Sequence, residues 1–383
     1  MNKYIVTSIC FILIIGIMFF VTLWNNKGEI VRGLLSGDRI ANINEIYNRN
    51  LAFSEKFLKL WSATQNSIGA ELLDDAEYGH LIKDDTGNVY FPADDVDVTK
   101  YAEMVKGFSN KVKEKGMKFV YIQAPNKAIK GYSSETVFAY NFSNKNADEL
   151  IELLKKNDVD TFDLRKILKS SGIPVDKMFY KSDHHWTTPT AFWAFNQIVS
   201  YLKNNCGLVV DEKYLDINNY KVTEFEDCFL GSLGRRVGAD VTGYDDYTFI
   251  EPNFDTSYEI TNGITKTIVG TGDFHNAIVK EHILNSKDKE ANKHSTYFEW
   301  DYGNLIIKNK NVDNDYKLLL IKDSYALPVT AFLSTCISEI HMVDLRDTPT
   351  VNLEKYIENN TFDAVVMLYN TEVFNDTMFN FSK

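Results

Sequence analysis

Five short apolar runs separated by stretches of helical periodicity constrain the fold most: Met117–Ile122, Val159–Leu164, Lys317–Ile321, Glu339–Val343 and Asp363–Leu368. Runs of this length, apolar on both alternating faces, read as strands buried from both sides. Helical patterns cover Val98–Lys115, Ala147–Lys156, a segment opening at Thr188-Pro189, Pro328–Cys336 and Leu353–Asn359. Alternating helix and buried strand implies an α/β fold, with a parallel sheet covered by helices on both faces. Polar residues gather just past the strand ends: Pro125-Asn126-Lys127, Asp323-Ser324, Asp344 with Arg346, and Tyr369-Asn370. Ligands of open α/β sheets bind outside the carboxyl ends of the strands, so these clusters mark the candidate site. From about 207 to 300 the rhythm is replaced by short β-like pieces, and this stretch reads as an irregular insertion.

The N-terminus adds a second class of segment. Tyr4 to Trp24 contains no charged residue, and Ile9–Val21 is apolar throughout. About 20 apolar residues span a bilayer as a helix. A cleaved signal peptide is the competing reading, but the run is long for one and no small-x-small cleavage site follows. Residues 1–27 are therefore expected to be an uncleaved single-pass anchor in the cell membrane, with the rest of the chain extracytoplasmic. Ile43, Ile46, Tyr47, Leu51, Phe53, Phe57, Leu58 and Trp61 recur near helical spacing, so 28–95 reads as a helical stalk or cap. Residues 96–383 then hold the catalytic domain. The net charge of −12 argues against a nucleic-acid partner. Cys206, Cys228 and Cys336 form no metal-ligand spacing. A Cys206–Cys228 disulfide and three free thiols both remain open.

Two segments carry chemistry. Asp183-His184-His185-Trp186 places a carboxylate and two imidazoles ahead of a helix, and Ser324 follows the apolar run Leu318–Ile321. A serine hydroxyl becomes a nucleophile when a neighbouring base takes its proton. His185 is the expected base, with Asp183 fixing its tautomer. The helix after His185 disfavours imidazolium through its dipole. The bland alternatives are a capping serine and a capping loop that happens to hold histidines. Adjacent histidines with an aspartate also suit a metal, but no cluster of further carboxylates accompanies them, and Asp273-Phe274-His275 is the other candidate string. No metal and no cofactor is expected. Trp186 reads as a packing residue. An oxyanion requires fixed donors: the Ser324 N–H is one by position, and Asn370, Asn126 and Arg346 are candidates for another, with His184 a further substrate-side candidate. Gly231-Ser232-Leu233-Gly234-Arg235-Arg236 lacks phosphate-loop spacing.

Asp183-His184-His185-Trp186 resembles the motif of the DHHW proteins, in the AlgX/AlgJ-like branch of the SGNH hydrolase superfamily. Ala124-Pro125-Asn126-Lys127, Phe229-Leu230-Gly231-Ser232-Leu233-Gly234, Lys322-Asp323-Ser324-Tyr325 and Asp344-Leu345-Arg346 resemble further segments of that family, in order. The resemblance implies a three-layer α/β/α domain. It also implies an extracytoplasmic O-acetyltransferase that moves acetyl groups onto hydroxyls of an exported or cell-wall polysaccharide. Asp183, His185 and Ser324 fall on the family's triad, and the implied acetyl donor is a membrane-bound O-acyltransferase. An O-acetyl esterase using the same residues and a non-catalytic polysaccharide-binding scaffold are the rival readings.

Overall fold

The computed structural model describes residues 3–28, 53–75, 77–347 and 349–382. The chain divides into two compact units, Met1–Gly69 and Ala70–Lys383. The first contains helices Lys3–Asn25 and Ser54–Ser67, and Ile5–Asn25 is long and apolar enough to cross a membrane. Ile43, Ile46, Tyr47 and Leu51, expected as helical, lie outside the described residues.

The second unit begins at Ala70 rather than at residue 96. The helical reading of 28–95 fails from Leu72 onward. Strands β1 (Leu72–Asp75), β2 (Gly79–Lys83) and β3 (Val89–Tyr90) form a small antiparallel sheet there. The cause is local: Asp75 Oδ1 accepts the backbone N–H groups of Glu77 and Tyr78, both at 2.9 Å, and closes a turn that helix periodicity does not register.

The main sheet contains β4 (Lys118–Gln123), β5 (Thr161–Asp163), β8 (Tyr258–Asn262), β9 (Ile268–Gly272), β10 (Leu305–Asn309), β11 (Lys317–Lys322), β12 (Glu339–Val343) and β13 (Ala364–Tyr369). Its order is β5-β4-β13-β11-β12-β10-β8-β9. From β5 to β12 every pairing is parallel, as the sequence predicts. Beyond β12 the sheet continues antiparallel through β10, β8 and β9. This extension adds an antiparallel edge to the expected parallel sheet, and two of its strands come from the stretch expected to be irregular. Within it only β8 and β9 are joined by a short connection, residues 263–267, which permits antiparallel pairing but not a parallel crossover. A separate antiparallel ribbon pairs β6 (Tyr220–Phe229) with β7 (Asp245–Pro252).

Alternation along the strands produces two cores. Val120, Ile122, Leu318, Leu320, Val366 and Leu368 pack with Phe195 and Ile198 of helix Thr188–Cys206 and with Val329 and Phe332 of helix Ala326–Leu333. Phe119, Tyr121, Leu319, Ile321, Val365 and Met367 pack on the other face with Val105 and Phe108 of helix Thr99–Glu114 and with Leu150 and Leu154. Helices therefore cover both faces, giving three layers. Helix Thr99–Glu114 stops ahead of β4 where Gly116 takes a φ of 78° that a side chain would resist. The helical segment expected to open at Thr188-Pro189 does so, with Thr187 at the N-cap position. Cys206, Cys228 and Cys336 are all free thiols.

Candidate active site

Strand β11 delivers Ser324. The strand lies in the sheet interior between β13 and β12, so its end is held on both sides. Asp323, fully buried, uses Oδ1 to accept the Tyr325 N–H at 2.9 Å and Oδ2 to accept the Asn370 N–H at 2.6 Å. It thereby ties the ends of β11 and β13 together and points the next residue out of the sheet. Burial pushes its carboxyl up to about 6.

The Asp183–Trp186 loop meets this turn directly. Trp186, fully buried, donates Nε1–H to the Tyr325 carbonyl at 2.9 Å, and the Tyr325 hydroxyl donates to the His184 carbonyl. Across the junction His185 Nε2 lies 2.8 Å from Ser324 Oγ, and His185 Nδ1 lies 2.6 Å from Asp183 Oδ1. An ionised carboxylate only accepts, so Nδ1 carries the proton and Nε2 offers its lone pair to the serine hydroxyl. Asp183 also accepts the backbone N–H groups of His185 on Oδ1 at 2.9 Å and of Ser232 on Oδ2 at 2.8 Å. Burial would raise its carboxyl, but the charges of His185 and His184 and these hydrogen bonds hold it well below the usual carboxylate range.

Three features of the surroundings place this loop. Lys127, buried, donates Nζ to the carbonyls of Tyr180, Lys181 and Asp183 at 2.8, 2.9 and 3.0 Å. Burial brings its ammonium down to about 8. Asp245, at the start of β7, accepts the backbone N–H groups of Lys181 and Ser182, both at 2.8 Å, and the Ser182 hydroxyl. Gly231 passes so close to Asp183 that a Cβ there would stand 2.2 Å from Asp183 Cβ and 2.4 Å from Oδ2.

His294 is a component the sequence did not single out. It sits on a 3-10 turn, Lys293–Thr296. Its ring stacks on that of His185 at 3.6 Å between centroids and 11° between planes, and its Nε2–H donates to the Ser324 carbonyl at 2.7 Å. Lys293 secures this turn by donating to the carbonyls of Ile283, Leu284 and Ser286. Burial brings the His294 imidazole down to about 4. Burial first, then the neighbouring His184 and His294, push His185 well below its ordinary value of 6.5, against the pull of Asp183. Burial and the adjacent imidazoles thus favour the neutral His185 that the sequence predicts.

Ser324 opens into a cleft of about 580 Å³ lined also by Tyr78, Phe91, His184, Ser232, Arg236, Arg346, Asn370 and Glu372. Asn370 lines it while its Oδ1 accepts the Glu372 N–H at 2.5 Å. His184 lines it too, with Nδ1 2.8 Å from Ser232 Oγ. Arg346 lines it, but commits Nε and Nη2 to Asp344 at 3.0 and 2.7 Å, and Nη2 also to Asp301. Asn126 does not line the cleft: its Nδ2 donates to Ser143 Oγ at 2.8 Å and its Oδ1 accepts from Asn144 at 3.1 Å. Asn126 is accordingly withdrawn as an oxyanion candidate; it braces its own turn.

Residues 86–240 match the family described as SGNH hydrolase-like domain, acetyltransferase AlgX. The domain has an SGNH-like α/β fold. Among solved structures, Bacillus cereus PatB1 shares 19% identity and a TM-score of 0.65, over 79% of this chain and 99% of that one. PatB1 with a sulfonyl adduct aligns at 18% identity and a TM-score of 0.64, over 79% and 98%. A DHHW family protein from Eubacterium siraeum DSM 15702 aligns at 19% identity and a TM-score of 0.60, over 78% and 93%. No curated protein matches the chain.

The family match ends well before Ser324, so the union of Asp183 and His185 with Ser324 rests on the tertiary structure of the SGNH-like domain. Asp183, His184 and His185 offer ligand atoms within 4.8 Å of one another, a spacing that would also suit a metal. Both ring nitrogens of His185 are already engaged, by Asp183 and Ser324, so an ion there would displace the hydrogen bonds just described. The Gly231–Gly234 segment turns out to be a support for Asp183. The two arginines that follow are paired: Arg235 with the Leu230 and Glu290 carbonyls, and Arg236 with Asp75 and Glu77.

Proposed function

We propose that this protein is an extracytoplasmic O-acetyltransferase acting on a polysaccharide, anchored in the cell membrane by Lys3–Asn25. The observation that carries the reading is the continuous hydrogen-bond chain Ser324 Oγ, His185, Asp183. Ser324 Oγ attacks the acetyl carbonyl while His185 Nε2 takes its proton. The tetrahedral intermediate expels the donor's leaving group, which receives that proton, and an acetyl ester remains on Ser324. An acceptor hydroxyl then loses its proton to His185 Nε2 and attacks the ester. Collapse returns the proton to Ser324 Oγ and releases the O-acetyl product. Asp183 keeps Nε2 aimed at the serine and stabilises the transient imidazolium. The Ser324 N–H and the Asn370 side chain are the donors we assign to the oxyanion. A membrane-bound O-acyltransferase is the proposed source of acetyl groups, which agrees with a chain anchored in the same membrane.

Hydrolysis of O-acetyl esters is the second reading, since water can replace the sugar hydroxyl at the same acyl-enzyme. Intact mass after brief exposure of the full chain in detergent to 4-nitrophenyl acetate tests the common step. One acetyl group is expected on the parent and none on Ser324→Ala. No adduct and no ester turnover in the folded parent sinks both readings and leaves a binding scaffold.

A further inference from the structure

We propose that Tyr78 and Phe91 form a platform for an uncharged sugar ring of the acceptor, positioned next to Ser324; this rests on the acyl-transfer reading. Both residues line the cleft that contains Ser324. The Phe91 ring lies 5.5 Å from that of His184, His184 lies 3.8 Å from His185, and His185 Nε2 is 2.8 Å from Ser324 Oγ. The aromatic wall therefore starts two ring contacts from the reacting oxygen, within the span of a saccharide unit presenting a hydroxyl to it.

The wall is fixed before any ligand arrives. The Tyr78 N–H is bound to Asp75 Oδ1, its ring lies 4.7 Å from Phe91, and the Arg236 guanidinium packs 4.9 Å from its centroid. Arg236 is itself held by Asp75 at 3.1 Å and by Glu77. Beneath, Leu73, Leu81 and Val89 of the small sheet pack on Leu233, Val237 and Val241. Tyr78 nonetheless keeps 39% of its surface exposed. An aromatic face this well braced loses little entropy on binding, and the apolar C–H face of a pyranose is what such a face accepts.

The charges select an uncharged ring. Each arginine of the cleft already carries carboxylate partners: Asp75 and Glu77 for Arg236, Asp344 and Asp301 for Arg346. Asp94 and Glu372 add two further carboxylates to the lining. Burial pushes Glu372 up to about 7 against the pull of Lys127 and the Asn126 hydrogen bond, with Asp323 and Asp183 adding to the rise. A uronate or phosphate polymer would meet that field unfavourably, whereas sugar hydroxyls can donate to the carboxylates.

The test uses the full chain in detergent, acetylated with 4-nitrophenyl acetate and challenged with cellopentaose, xylopentaose, an N-acetylglucosamine pentamer or pentagalacturonate. At least one neutral pentasaccharide is expected to take up acetyl and speed loss of the acyl-enzyme. Tyr78→Ala is expected to lower kcat/KM for that acceptor by about tenfold or more beyond any change in ester acylation, and Tyr78→Trp to retain acceptor use. Acceptance of pentagalacturonate alone, equal losses in both steps of Tyr78→Ala, or an acyl-enzyme that ignores every sugar overturns the platform. Failure of the parent to form an acyl-enzyme overturns instead the reading beneath it.

Discussion

The serine side and the histidine side of the site are built by different means. Ser324 and Asn370 stand at the ends of β11 and β13, adjacent parallel strands inside a sheet cored on both faces. Their positions follow from strand geometry, with Asp323 as the one side chain joining the two ends. Asp183 and His185 sit on a loop placed by Lys127, Asp245, Gly231 and Ser232, which come from separate parts of the chain. A strand end inherits rigidity from many backbone hydrogen bonds and packed side chains, whereas a loop depends on a few charged or close contacts. The histidine side is therefore where single substitutions should do most harm to function.

Gly231→Ala tests this hardest. Its methyl group would overlap Asp183, so the carboxylate must move and ester turnover is expected to fall by about a thousandfold with the fold retained by circular dichroism. A loss smaller than about tenfold would mean that the loop yields more than its packing implies. Lys127→Met comes next. Three carbonyls lose their donor, and a destabilisation of about 3 kcal/mol is expected in urea unfolding; an unchanged midpoint would remove Lys127 as the staple of the loop. Asp323→Asn probes the serine side. An amide oxygen must replace a carboxylate that accepts two backbone N–H groups, at a cost of about 1–2 kcal/mol. If it proves more damaging to activity than Gly231→Ala, the contrast drawn above is reversed.

The smallest effect concerns pH. His185 acts as a base only when neutral, and its folded-state pKa lies below the ordinary 6.5. Activity should therefore stay level through neutrality and fall only as pH drops below 6.5, where the imidazole gains its proton. His294→Phe keeps a stacked ring but removes one of the groups that lower His185, so the acid limb should move to higher pH. An acid limb above 6.5 in the parent, or an identical profile in the variant, would refute the assigned role of the imidazole pair.

Much of this molecule was legible along the chain because the relevant physics is local. The strand runs Met117–Ile122 and Lys317–Ile321 announce themselves through nearly continuous apolar character, and the structure shifts each end by no more than one residue. Asp183, His185 and Ser324 were visible because each is a chemically distinctive residue beside a strand or helix end. His294 and Asp245 carried no such signal: each lies in the stretch that shows no regular period, and each acts through a partner more than 25 positions distant, as the His294 bond to Ser324 illustrates. The glycine segment was legible as a motif but not as a mechanism, since only proximity to Asp183 explains why Gly231 has no side chain.

By itself the amino-acid order determined the α/β class, the apolar N-terminal helix and the residue types of the triad, because periodicity and polarity act over a few neighbours. The tertiary structure alone decided that Ser324 Oγ meets His185, that Asn126 stays out of the cleft lining, that His294 stacks on the base and that Tyr78 and Phe91 join the cleft. Those are contacts between distant segments, set by how the sheet, ribbon and loops pack together, and no local pattern encodes them.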